Sequence, residues 1–323
     1  MPFNSIPFKT TDQAVHTLPE MNLVEDKLHR VLAGPDNVMT PMGIHLLSAG
    51  GKRIRPMLAV CAGRCFSPLT PEMVTAAASV ELIHMASLVH DDVIDHSPTR
   101  RGKPSLNALW GNHPAVLAGD YLFAKAFGLL ASSGLVNCLN LLVETIEDMC
   151  QGEIQQAVTG FDPDITEEEY LERIHKKTAV LLAASCKLGG LAAGAEDNIL
   201  EALGEYGRSL GLAYQIIDDI LDLTGQSAVM GKPSGQDLSL GNITLPIIML
   251  LRDRKHVPLL ETALAGRPAK ILEALHSSGA LLEARKRAQA HAEKAKASLS
   301  GFPASPYKDI LQSLPDIALN RTS

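Results

Sequence analysis

A chain of 323 residues with 46% hydrophobic and 20% charged residues is long enough to bury a large core and is not composed like a disordered polymer. Its formal net charge of −7 excludes the basic electrostatics on which nucleic-acid binding rests. The opening MPFNSIPFKTTDQ lacks the basic-then-apolar order of a secretory leader, and no apolar run is read as reaching the roughly 20 residues that span a bilayer. Five scattered cysteines, Cys61, Cys65, Cys138, Cys150 and Cys186, read as free thiols of a reducing cytoplasm rather than a zinc site.

Helical periodicity dominates and no alternating stretch is long enough for a strand, which predicts an all-α fold. Residues 1–18 read as an N-terminal arm and 19–323 as a single helical domain. The first helix is predicted from Pro19 to Leu32, closed by Gly34-Pro35, and the second from Met39 to Ala49. Gly50-Gly51 then break the chain before Lys52, Arg53, Ile54 and Arg55, and Pro56 suits the first position of the next helix. GGKRIRP is either a basic helix start on the surface or a place where backbone and cations approach a diphosphate.

Thr70 as N-cap and Pro71 at N1 predict a helix running to about Asp95. Asp91, Asp92 and Asp95 lie on it at spacing i, i+1, i+4, within one turn, which predicts a single acidic cluster. His84, two turns earlier, shares the Asp91 face, either as a satisfied core residue or as a ligand contact; His90 packs within the bundle. Ser97 and Pro98 stop the helix, and Arg100 and Arg101 follow. Carboxylates for a hard cation beside guanidinium forks suit a ligand with several phosphate oxygens.

Helices are next expected over His113–Ala131 and Gly134–Val158. Thr166 and Glu169 form a capping box for one running to about Ala193, which contains Lys177 and Thr178. Helix Asn198–Thr224 holds QIIDDILD, where Asp218, Asp219 and Asp222 repeat the first spacing. A lone acidic triplet reads as a solvated face, but two in apolar surroundings read as a binding site for several Mg²⁺ ions. The glycine- and proline-rich SAVMGKPSGQDLSLGNITLP is read as an ordered loop over the second cluster, with Lys232 and Asp237 as its candidates. Helices resume near Thr244, and 280–299 reads as a solvated helix.

GGKRIRP, DDVID followed by RRGKPS, KT, QIIDDILD and GKPSGQDL–GNITLP occur in one order from about residue 20 to Asn320-Arg321. In that order they closely resemble the trans-polyprenyl diphosphate synthases. The resemblance implies a helical bundle around a deep cavity, with the two acidic clusters facing each other at its mouth. It implies that Asp91, Asp92, Asp95, Asp218, Asp219 and Asp222 hold Mg²⁺, three ions per active site, against an allylic diphosphate. Arg100, Lys177 and Lys232 would contact that diphosphate. Lys52, Arg55, His84 and Arg101 would bind isopentenyl diphosphate, and Lys177, Thr178 and Gln215 would stand beside the leaving group and nascent cation. Family chain length depends on side chains below the first cluster. Ala86 and Ser87 are small there, Leu82 and Ile83 would be lower stops, and a heptaprenyl or octaprenyl product is implied.

Gln236 and Asn242 replace an aspartate and a lysine of many shorter-chain relatives. The expected partners are isopentenyl diphosphate and an allylic diphosphate (geranyl, farnesyl or geranylgeranyl), in a homodimer. A subunit active only with a small dissimilar partner, or a non-catalytic subunit, are the competing readings.

Overall fold

The computed structural model describes residues 10, 13, 18–33, 39–159, 162–224, 238, 241–264 and 267–321, the side chains of 158 and 159 excepted. The expected arm 1–18, apart from residues 10, 13 and 18, lies outside the described residues, as do Lys232, Gln236 and Asp237. Chain contacts divide into two compact units. The first comprises 1–144, 184–204 and 302–311; the second comprises 145–183, 205–301 and 312–323.

The capping signals act where the sequence places them. Thr70 Oγ1 accepts from the Met73 N–H at 3.3 Å. Thr166 and Glu169 make the reciprocal capping box, with Glu169 N donating to Thr166 Oγ1 at 3.2 Å and Thr166 N to Glu169 Oε2 at 2.8 Å.

In the first unit, α1 (Glu20–Leu32), α2 (Thr40–Ser48), α3 (Ile54–Arg64) and α4 (Pro71–Ile94) follow in order. Helix α4 is the hub, buried without a break from Met73 to Ile83, and it packs on α1, α3 and α6 (Asn112–Ser132). Such all-round burial requires an apolar sequence on every face, as MVTAAASVELI supplies. Helix α3 begins at Ile54, two residues before Pro56, because Arg53 takes a left-handed backbone (φ 45°, ψ 35°) as its N-cap. Helix α4 ends in a Schellman motif: His96 is left-handed (φ 50°), Ser97 N donates to Asp92 O at 2.9 Å, and His96 N donates to Val93 O at 3.3 Å.

An unexpected two-stranded ribbon follows, β1 (Thr99–Arg100) antiparallel to β2 (Lys103–Pro104). Its turn, Arg101-Gly102, has positive φ at both residues (52° and 74°), the geometry that matches hairpin twist. Two residues per strand are too few for an alternating pattern to register. Short α5 (Leu106–Trp110) leads into α6, and α7 (Val136–Thr159) begins after Gly134.

In the second unit, α8 (Glu167–Ile174) passes into a π-helical turn (His175–Ala179); α9 (Val180–Ala192) and α10 (Asp197–Thr224) follow, their residues 184–192 and 197–204 belonging to the first unit. After the loop come α11 (Leu245–Leu251), a 3₁₀ turn, α12 (Val257–Leu264), α13 (Ala269–Ser278), α14 (Ala280–Ser298) and α15 (Pro306–Leu319). Wholly apolar α11 packs against α8, α13 and α14. Helix α14 departs from the solvated helix expected at 280–299. Ala280, Ala284, Ala288, Ala292 and Ala295 are buried, so its charged composition hides an alanine stripe.

The reading that no apolar run reaches membrane-spanning length is corrected. Two helices are long and apolar enough by length and composition, α4 and α6. The apolar window of α4 is 78% buried, which makes it a core helix, while that of α6 is only 33% buried and leaves Val116 and Leu117 exposed. Cys61, Cys65, Cys138 and Cys186 are buried and Cys150 is exposed, all as free thiols.

Close helix contact in the first unit runs through Gly189 of α9. A Cβ there would stand 2.8 Å from Ala59 C and 3.0 Å from Gly63 N, both backbone atoms of α3. Gly189→Ala should therefore destabilise the protein by about 2–3 kcal/mol through overpacking, read as a lowered urea midpoint at constant m-value. An unchanged midpoint would contradict this contact.

Candidate active site

The first acidic triplet does not behave as one cluster. Asp92 points inward and is 4% exposed. Arg100 Nε donates to Asp92 Oδ1 and Oδ2 at 2.8 and 2.9 Å, and Arg100 Nη2 lies 2.8 Å from Oδ1. Asn107 Nδ2 donates to the Asp92 carbonyl at 3.0 Å. Asp91 is half-buried and Asp95 exposed, one turn apart on the same face. Among the described residues no three His, Cys, Asp or Glu side chains come together as a ready metal site. The expected convergence of Asp91, Asp92 and Asp95 is thus corrected: around the helix Asp95 lies between the other two, about 40° from Asp91 and about 60° from Asp92, but Asp92 is drawn inward by its pairing with Arg100.

The second triplet repeats this arrangement with different partners. Asp219 is 3% exposed. It accepts from Tyr170 Oη at 2.6 Å and from Gln215 Nε2 at 2.8 Å. Asp218 and Asp222 are half-buried, and Asp218 Oδ1 lies 2.6 Å from Arg321 Nη2. The Arg321 guanidinium also covers the Tyr214 ring at 3.9 Å.

Around His84, half-buried on α4, the GGKRIRP segment and the ribbon supply cations. A cavity of about 40 Å³ is lined by Gly50, Arg53, Glu81, His84, Asp92, Arg100 and Arg101, with Met85, Leu88 and Val89 on its apolar side. Arg101 donates to the Gly50 carbonyl and lies across Gly51, where a Cβ would collide with its guanidinium. That close approach, with Gly50 at φ 68°, accounts for the glycine pair. Lys52 is exposed and Arg55 half-buried. Burial, then Arg55, Arg101, Arg100 and Arg53, push the His84 pKa well below its usual 6.5.

Sequence reasoning missed what holds this segment. Arg53 Nε donates to Glu25 Oε1 at 2.5 Å and Arg53 Nη1 to Glu81 Oε1 at 2.9 Å. A non-glycine left-handed residue costs about 1–2 kcal/mol. Here two carboxylates, from α1 and α4, oppose that strain. The only signal in the sequence was Glu81 standing three residues before His84 in an apolar helix.

The KT pair lies in the π-helical turn, which the continuous helix expected from Thr166 to Ala193 did not include. Such turns widen the helix and re-aim side chains. Lys177 Nζ lies 2.7 Å from Glu153 Oε1, and Thr178 Oγ1 donates to Gln215 Oε1 at 2.9 Å. Lys177, Thr178 and Gln215 are therefore organised in the second unit with Asp219. Ala86, Leu82 and Ile83 are fully buried, while Ser87 is half-buried and donates to the His84 carbonyl at 2.9 Å. Asn242 is half-buried.

Chemically, each half presents outward carboxylates beside cations or amides, with one inner carboxylate as anchor. The first half is the more electropositive and suits an anion. Comparison with known proteins gives a consistent picture. The polyprenyl synthetase family model matches residues 36–276. The chain is 39% identical over 300 residues to heptaprenyl diphosphate synthase component 2 of Geobacillus stearothermophilus, covering 91% of this chain and 93% of that protein. It is 38% identical to octaprenyl diphosphate synthase of Escherichia coli K12, covering 88% and 90%. Among solved structures, a polyprenyl synthase from Caulobacter crescentus CB15, complexed with calcium and isoprenyl diphosphate, superposes with a TM-score of 0.90 at 34% identity. That match covers 97% of this chain and 98% of that one.

The lowered His84 pKa has a measurable consequence. The unfolded imidazole takes up a proton near pH 6.5, and the folded one does so only well below it. The unfolded state therefore binds more protons in that window, and stability falls as pH drops below 6.5. His175 and His291 are shifted in the same direction, so the comparison must be with a variant. His84→Gln should lose less stability than wild type between pH 7.5 and pH 5.5 in urea unfolding; equal losses would remove His84 as a source.

Proposed function

The chain belongs to the polyprenyl synthetase family, and we propose that it joins isopentenyl diphosphate head-to-tail to an allylic diphosphate, giving a medium- or long-chain polyprenyl diphosphate. The observation that carries the reading is the pair of acidic triplets, each with a buried middle carboxylate, the first of them beside a cavity lined by Arg53, Arg100 and Arg101. The product class follows the relatives named heptaprenyl and octaprenyl diphosphate synthase. The small Ala86 and Ser87 agree with it. Residues 19–323 act on this reading as one prenyltransferase domain.

The donor set fits a magnesium ion: all oxygens are hard, and Asp91/Asp95 and Asp218/Asp222 each lie one turn apart. Each pair would hold such an ion in its own unit, with Asp92 and Asp219 as the anchors behind them. When bound, magnesium withdraws charge from the diphosphate and makes it a better leaving group. Lys52, Arg55, His84 and Arg101 bind the isopentenyl diphosphate, whose tail then faces Met85, Leu88 and Val89. His84, neutral, offers an N–H without adding charge. Arg100, Lys177 and Lys232 hold the allylic diphosphate. As its carbon–oxygen bond breaks, the Gln215 and Thr178 oxygens face the electron-poor carbon. The isopentenyl double bond attacks, and the proton lost from its C2 goes to the released diphosphate. Apolar walls exclude the water that would quench the cation.

A second copy is the partner best suited to the apolar face of α6. Val116 and Leu117 are exposed there, as is Trp110 on α5, which packs against α6. Leu117→Glu should convert a dimer to a monomer in sedimentation, and an unchanged mass would remove this face. The relative named component 2 makes a subunit requiring a dissimilar partner the second reading.

Purified protein with Mg²⁺, farnesyl diphosphate and labelled isopentenyl diphosphate should yield a ladder of prenols ending at one long product. Ala86→Phe or Ser87→Phe should end the ladder several isoprene units shorter. No incorporation by folded wild-type protein alone would contradict a self-sufficient synthase, and identical ladders would remove these positions from length control.

A further inference from the structure

Tyr170 lies in α8, outside every motif that marks the site in the sequence, and its side chain is completely buried. Its phenol donates to Asp219 Oδ2 at 2.6 Å. The other oxygen of the same carboxylate accepts from Gln215 Nε2 at 2.8 Å, and Gln215 Oε1 accepts from Thr178 Oγ1 at 2.9 Å. One chain of three hydrogen bonds thus runs Tyr170, Asp219, Gln215, Thr178. It fixes the amide of Gln215, nitrogen toward the carboxylate and oxygen toward the hydroxyl; the reversed amide would set two acceptors against each other.

Arg173, one turn along the same helix, is also buried. It donates to the Ile243 carbonyl at 2.5 Å and lies 5.7 Å over the Tyr170 ring. Ile243 belongs to GNITLP, where the chain leaves the loop after the second triplet. One short helix therefore fixes both the inner carboxylate and the segment that returns to the core.

We infer that Tyr170 is a positioning residue for the second carboxylate set. Its hydroxyl locks Asp219 in one rotamer, which aims Gln215 and Thr178 and sets the α10 turn that presents Asp218 and Asp222. A bond from a phenol to a buried carboxylate is charge-assisted and directional, so it selects a rotamer where packing alone would tolerate several. The aromatic ring fills the core, and the hydroxyl performs the positioning. This rests on the proposed synthase reading, which gives those side chains a diphosphate and its metal to meet.

Tyr170→Phe keeps the ring and removes only the hydroxyl. Loss of an outer-shell partner of this kind costs about tenfold, so kcat should fall about tenfold and half-saturating Mg²⁺ should rise by a similar factor. KM for isopentenyl diphosphate, bound in the first unit, should stay within about twofold of wild type. Independently of turnover, calorimetric titration of Mg²⁺ with inorganic pyrophosphate should show affinity weakened about tenfold in the variant. Adding Gln215→Leu to Tyr170→Phe should cost no more than the worse single variant, because both break one chain.

Wild-type kcat, Mg²⁺ dependence and pyrophosphate affinity in Tyr170→Phe, whatever its melting temperature, would reduce Tyr170 to packing. Additive losses in the double variant would do the same. Wild-type protein that binds Mg²⁺–pyrophosphate but elongates nothing would sink the synthase reading and leave the binding comparison to decide on Tyr170. Failure of wild type to bind it would sink both.

Discussion

A carboxylate removed from water needs a cation or several donors around it, and leaving it without them costs several kcal/mol. Both acidic triplets are organised by that requirement. In each, the middle residue is driven into the interior and met there: Asp92 by the fork of Arg100, Asp219 by a phenol and an amide. With the middle carboxylate anchored, Asp91 with Asp95, and Asp218 with Asp222, each pair one turn apart, are the more exposed members of their triplets. Pairing the middle acid with its own donors relieves part of the repulsion among three adjacent carboxylates, and the repulsion left in the outer pair is what a bound cation would neutralise. The two triplets reach the same arrangement with unrelated partners.

A second constraint is the fixing of backbone beside charge. GGKRIRP needs a sharp entry into α3, obtained by setting Arg53 left-handed and holding it between Glu25 and Glu81. The clamp also pairs one arginine of the motif with two carboxylates. The ribbon turn at Arg101-Gly102 brings Arg101 over Gly50 and Gly51. The result is a pocket in which burial first, and the surrounding arginines second, hold the His84 pKa well below its usual value.

The features legible in the sequence were those set by local chemistry. Thr70-Pro71 and Thr166…Glu169 are caps whose geometry depends on a few neighbouring residues, and both act as read. The apolar run around Glu81 and the two DDxxD patterns mark α4 and α10. Hidden features depend on tertiary partners. The π turn at His175–Ala179 has no composition of its own, and the ribbon is too short to alternate. The buried alanine stripe of α14 is masked by Lys, Arg and Glu on its other face, and small residues carry little hydrophobic signal. Tyr170 was the hardest to see, because only Asp219, 49 residues away, gives its hydroxyl a purpose. The spacing of the triplets was legible, but the inward turn of the middle residue was not.

The most direct test of anchored inner and presented outer carboxylates is a crystal structure with Mn²⁺ in place of Mg²⁺ and a diphosphate, the ions located by anomalous scattering. The account predicts oxygens of Asp91 and Asp95, and of Asp218 or Asp222, at about 2.1 Å from metal. Asp92 should still be bound by Arg100, and Asp219 by Tyr170. Direct ligation by Asp92 or Asp219, with either partner displaced, would contradict it.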